Sequence, residues 1–222
     1  MGKIAIFAPW GKCTSLKRTS ANIMLISAIP EDLCLAYANT LSWRGSARPA
    51  EKLHDLAGLL GWIEQSAGAG ARATEATRDP AHDDQKTVLR IFAEAIVMRE
   101  VIFRIFSAVA AGARIRDQDF VALKRALAEA PTRNQLERVG DSYAWRVERL
   151  RLSVPDILAP VLWSAADLVL NAQHRRIRQC ANEQCLWLFV DQSKSGSRRW
   201  CDMTSCGNRA KARRHYSKMK LR

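Results

Sequence analysis

Four cysteines within 27 residues limit what this chain can fold into more than any other feature: Cys180-x4-Cys185, fifteen residues, then Cys201-x4-Cys206. Two close pairs separated by a hairpin-length segment suit a tetrahedral zinc site made of four thiolates. The intervening segment reads as a strand over Leu186–Val190, a turn over Asp191–Ser197 containing Gly196, and a return through Arg198, Arg199 and Trp200. Thr204 or Ser205 then caps a helix beginning at Cys206, whose first turn supplies the last ligand. Knuckle, hairpin and ligating helix make a treble-clef-like zinc finger. Two alternatives stand beside this reading: a pair of disulfides, and a catalytic zinc. The remaining cysteines, Cys13 and Cys34, are isolated, and the apolar stretch Ile4–Trp10 is short and broken by Pro9, unlike a secretory signal. The simplest compartment is therefore a reducing cytoplasm, where clustered cysteines bind metal more often than they pair. Four sulfurs fill a tetrahedron and leave no open position, so one structural Zn²⁺ is expected. Its loss is expected to unfold the C-terminal part and leave the rest intact.

Charge is distributed as unevenly as cysteine. The 222 residues carry a net +13, and residues 174–222 hold 13 Lys and Arg against Glu183, Asp191 and Asp202. The preceding 173 residues, with 22 basic and 19 acidic groups, are nearly neutral. A basic segment on a neutral body points to a polyanionic partner for that segment alone. No uninterrupted apolar run reaches the roughly 18–20 residues of a membrane-crossing helix, so no membrane partner is expected.

The body reads as mainly α. Leu33, Tyr37 and Leu41 recur every four positions in a helix from Pro30 to Trp43, and Leu53, Leu56, Leu60 and Ile63 mark a second from Pro49 to Ser66. Residues 67–79 read as a loop. The longest helix runs from Pro80 to Ala111, with Val88, Ile91, Ala95, Met98, Ile102, Ile105 and Val109 as its stripe. Helices from Asp119 to Ala130 and from Pro155 to Asn171 follow, separated by a small β-hairpin over 136–152 around Gly140-Asp141. Residues 1–29 read as a poorly ordered leader, in which Met24 is an alternative start. The expected organisation is a leader (1–29), a helical domain (30–173) and a zinc finger (174–222).

The string Cys180-Ala-Asn-Glu-Gln-Cys185-Leu-Trp-Leu-Phe-Val-Asp191, followed by Gly196-Ser-Arg-Arg-Trp-Cys201-Asp-Met-Thr-Ser-Cys206-Gly207-Asn208-Arg209, closely resembles the CGNR zinc-finger family. The body resembles the ABATE domain that precedes this finger, at Leu33–Thr40 and from Lys52-Leu53-His54-Asp55 through Trp62. The resemblance spans nearly everything from residue 30 onward. It implies a stress-related bacterial transcription regulator. Ala36 departs from it, standing where the family is expected to carry Asp before an aromatic.

On a helical wheel, Lys211, Arg214 and Lys218 form one basic row, while Arg209 and Arg213 share the column of Cys206. Lys211, Arg213, Arg214 and Lys218, with Arg198 and Arg199, are the candidate nucleic-acid contacts. The rival reading is local: four thiolates and Zn²⁺ carry −2, which Arg198, Arg199 or Arg209 would offset. Gly207 is expected to permit close packing under the metal and Asn208 to bond turn backbone. Trp187 and Trp200 are either base-stacking surfaces or the finger's miniature core. His54, His82, His174 and His215 are scattered, and no nucleophile–base pair can be assembled, so no enzyme is expected. The expected function is a zinc-dependent DNA-binding transcription regulator whose helical body senses an effector, not named by any residue, or forms a homodimer. An RNA-binding module and a protein-interaction adaptor are the alternatives.

Overall fold

The computed structural model describes residues 23–26, 29–67, 84–148, 152–173, 176–212 and 219. Residues 1–22 of the expected leader, nearly all of the expected 67–79 loop, and the basic-helix residues Arg213, Arg214 and Lys218 lie outside the described residues. Helix accounts for about half of the described residues, and the strands form three small antiparallel sheets.

The order begins with β1 (Ile23–Ile26), α1 (Leu33–Ala38), β2 (Leu41–Ser42), β3 (Ala50–Glu51) and α2 (Leu56–Ala67). Then come α3 (Gln85–Ala110), α4 (Asp117–Glu129), β4 (Leu136–Val139), β5 (Ser142–Glu148), α5 (Val154–Ile157) and α6 (Ala159–Leu170). The chain continues with β6 (Ile177–Gln179), β7 (Leu188–Val190) and a π-helical turn, Met203–Gly207, that runs into a helical segment over 208–212.

Local chemistry explains where these elements stop. The first helix ends at Ala38, short of the Trp43 expected from periodicity. Thr40 turns its backbone N–H and hydroxyl back onto the Tyr37 carbonyl, at 3.1 and 2.8 Å. The chain then enters the β2–β3 hairpin, pairing Leu41 with Glu51 and Ser42 with Ala50. That hairpin takes the residues that periodicity assigns to the start of the second helix. Asp55, whose Oδ1 accepts from the Gly58 N–H at 2.7 Å, sets the true start. α3 is capped by Asp84 and closes with Gly112 at φ +65, the left-handed stop that glycine favours. The expected helix from Pro155 to Asn171 is two helices. Pro160 brings no N–H, and the chain breaks at Leu158. The expected hairpin is seen over Leu136–Val139 and Ser142–Glu148, turning through Gly140 (φ +60) and Asp141, with Val139 opposite Ser142.

Ile23–Ile26, placed in the leader from sequence, are instead the edge strand β1 of a sheet ordered β1-β5-β4, with Ile26 opposite Trp145. Ile26 is fully buried with Val147, Ala159 and Trp163, and that burial holds the strand in place.

The main core joins α1, α2, α3, α4, α5 and α6, with Tyr37 donating to the Ala95 carbonyl at 2.8 Å. Ile177 of β6 and Leu188 of β7 belong to the same core. The C-terminal segment is thus packed into the body rather than appended to it. Behind β2–β3 lies a four-charge network. Arg99, 2% exposed, grips both oxygens of Glu51 at 2.7 Å and reaches Glu100 at 3.0 Å. Arg44 meets Glu100 at 2.6 Å. Among the described residues no helix is long and apolar enough to cross a membrane.

Candidate metal centre

The knuckle begins where β6 hands the chain to Cys180, whose N–H donates to the Trp187 carbonyl at 2.7 Å. Asn182 reverses the chain. Its carbonyl accepts from Cys185 N–H at 2.7 Å and Leu186 N–H at 3.2 Å, and Leu186 takes φ +58. β7 then runs back antiparallel to β6, with Ile177 opposite Val190 and Gln179 opposite Leu188. The strand expected at Leu186–Val190 therefore exists in part, but its partner precedes the first cysteine. The expected partner, Arg198–Trp200, makes no ladder and returns beside the knuckle through an Ala181 N–H bond to the Arg199 carbonyl at 2.9 Å. Asp191 organises that return. Its buried carboxylate accepts from the Ser193 N–H and hydroxyl and from Arg198 N–H, which holds its pKa below the ordinary carboxylate range.

Cys206 sits inside the Met203–Gly207 turn. The cap of that turn is Asp202 rather than Thr204 or Ser205. Its carboxylate accepts from the N–H groups of both, at 3.3 and 2.9 Å, so the helical segment starts three residues earlier than expected. Asn208 Nδ2 donates to the Thr204 carbonyl at 3.0 Å. Gly207 is buried with Met203 and Trp200 packed against it.

These local turns bring the Sγ atoms of Cys180, Cys185, Cys201 and Cys206 within 4.8 Å of one another. Cys185 and Cys201 stand 3.6 Å apart, and Cys201 and Cys206 3.8 Å. A tetrahedral ion with bonds of about 2.3 Å to sulfur holds its ligands about 3.8 Å apart, so the separations fit zinc or an ion of similar size. All four are free thiols gathered in one group, not two bonded pairs. Their electrostatics are those of closely coupled thiols. Hydrogen bonds from the Cys185 and Cys201 thiols pull Cys180 far down, and the same contacts push Cys185 up to about 12 and Cys201 up as well. Thiolates held this close repel one another, and a cation among them relieves that repulsion. Asn182, which the sequence reading did not single out, adds an N–H to the Cys206 sulfur at 3.6 Å. Its only signal was its place between the first two ligands. Among the described residues no other group of His, Cys, Asp or Glu could hold an ion.

Around the sulfurs pack Trp43, Trp187, Trp200 and the cysteines themselves. Trp43 comes from the body and has φ +55, a left-handed conformation that costs a bulky residue roughly 1–2 kcal/mol.

The candidate nucleic-acid residues divide. Arg198 turns inward: its Nε donates to the Trp200 carbonyl at 2.8 Å, an Nη2 donates to the Cys201 carbonyl, and its guanidinium lies over Phe189. Arg199 is exposed beside Trp200, and Lys211 is exposed on the helical segment. Arg209 is also exposed, with its guanidinium 4.3 Å from the Trp43 ring centroid. In the body, Ala36 is the one solvent-facing position of α1.

A family model described as ABATE, a putative stress-induced transcription regulator, matches residues 31–172. A second, described as the CGNR zinc finger, matches residues 176–219. No curated protein matches the chain.

Proposed function

The chain belongs to the ABATE family, joined to a CGNR zinc finger, and we propose from this that it is a zinc-dependent DNA-binding transcription regulator. The observation that carries the reading is the gathering of four thiols at the point where the basic helix begins. One structural zinc, held by Cys180, Cys185, Cys201 and Cys206, fixes the direction in which that helix leaves. Arg199, Arg209 and Lys211 are exposed, and Arg213, Arg214 and Lys218 follow in sequence. Such a group of cations engages phosphate first and bases second. The free thiols suit a reducing cytoplasm.

Trp187 and Trp200 pack against the sulfurs. That placement leaves them poor stacking platforms and favours duplex DNA over RNA. A sensing role for the body is supported by an open cavity of about 560 Å³ between the end of α4, β5 and the start of α5, lined by Thr132, Asn134, Arg146 and Asp156 among others. The reading assigns the chain no catalysis. The test is a salt titration of binding to duplex DNA. If about five phosphates are contacted, log K falls against log salt with a slope near −4.5. Salt-insensitive binding, or none at about 100 mM salt, contradicts the reading and favours the adaptor. Preferential capture by structured RNA transfers it to that partner.

A further inference from the structure

We infer that the β2–β3 hairpin of the body is a wall of the metal centre, and that metal loading through it fixes the start of the basic helix on the body. This regulation rests on the zinc reading above. Trp43 packs against the sulfur cluster, and Arg209 stacks on its ring. Two residues on, Gly45 N–H donates to the Gln184 carbonyl at 3.2 Å, inside the knuckle. The approach is so close that a Cβ at Gly45 would run into the Glu183 carbonyl. At the other end of the same segment the Asn39 amide pairs with β7, donating to the Leu188 carbonyl at 2.8 Å and accepting its N–H at 3.1 Å. The hairpin is backed in turn by α3, through Arg44–Glu100 and Glu51–Arg99.

The metal cluster and the charged network of α3 therefore hold one short segment, the first through Trp43 and the second through Arg44 and Glu51. Trp43 excludes water from the thiolates, and Arg209 offsets part of their excess negative charge. Groups that shape a metal site from outside its ligands typically change affinity 10–100-fold. Coupling of this kind is reciprocal: whatever the hairpin adds to metal binding, the metal adds to the seating of the hairpin and of Arg209.

The experiment uses the full-length zinc-loaded protein and follows transfer of its zinc to a chromophoric chelator. Trp43→Gly suits the left-handed backbone, so it removes the ring without adding strain. It is expected to release zinc about tenfold faster. Gly45→Ala, which prises the knuckle from the body, is expected to do the same. Trp43→Phe restores a ring and a rate near wild type, and Leu170→Ala, at an 80% exposed position, leaves it unchanged. Hydrogen exchange adds a readout that does not depend on release: chelation of the wild type is expected to raise exchange at Gly45 and Leu188. Bound zinc released at the wild-type rate from both variants, with exchange at Gly45 and Leu188 unaffected by chelation, overturns this inference alone. A wild-type protein without bound metal overturns the zinc reading and this inference together.

Discussion

Arg198 and Arg199 are adjacent and chemically identical, yet the fold gives them opposite work. Arg198 is held by two backbone carbonyls of the ligand loop and by Phe189, and its own N–H is held by Asp191. Arg199 reaches solvent beside Trp200. Arg198→Ala is therefore expected to lower the thermal midpoint and hasten metal loss. Arg199→Ala should leave both unchanged and reduce the salt slope of DNA binding by about 0.9. Calorimetry and a salt titration on the two variants separate these outcomes, and interchangeable behaviour would contradict the assignment. Nothing in the sequence distinguishes the pair, because the difference lies in which carbonyls the folded loop presents. The clustering of the four cysteines was legible for the opposite reason. Thiolate chemistry and spacing are local, whereas Asn182 shows its role only once the chain reverses around it.

Among the elements, the β2–β3 hairpin and its support by α3 had the weakest sequence signal. Each strand is two residues long, and the surrounding leucines and prolines suggested helix on both sides. Its stability comes from Glu51 and Glu100 against Arg99 and Arg44, a long-range arrangement that periodicity does not encode. Glu51→Gln leaves the guanidinium of buried Arg99 short of charge. A loss on the order of 2–3 kcal/mol is expected, below the value for a fully buried pair because Glu51 keeps some solvent contact. Removing the exposed Arg90–Glu94 pair should cost less than about 1 kcal/mol. Denaturant melts of the two variants test the ranking. Acid should act on the same network. Bonds from Arg99 to Glu51, and from Arg44 and Arg99 to Glu100, outweigh burial and hold both carboxyls below their ordinary range. Asp119 is held down in the same way by Arg104 and Arg116. The stability they add is present above the unfolded carboxylate range near pH 4 and is lost as pH falls through the lower folded values. A thermal midpoint that stayed flat from pH 5 to pH 3 would contradict this.

At the scale of the whole molecule, finger and body share one core. Ile177 and Leu188 are buried against the helices, and Asn39 completes the backbone bonding of Leu188. From sequence alone the finger is expected to unfold without the body; the shared packing leads instead to the expectation that the two unfold together. The sequence shows the composition shift near residue 174 but not the contacts that cross it. Leu188→Ala is expected to cost about 2–5 kcal/mol and to lower the midpoint of the single transition that body and finger share. A separate early transition for the finger would contradict the shared core. The proposed function depends on an ion at the sulfur cluster. X-ray absorption at the zinc edge on the purified full-length chain, kept under reducing conditions, tests it most directly. The account predicts one zinc per chain with four sulfur neighbours at about 2.3 Å. A chain without stoichiometric zinc, or zinc surrounded by nitrogen and oxygen, would contradict it.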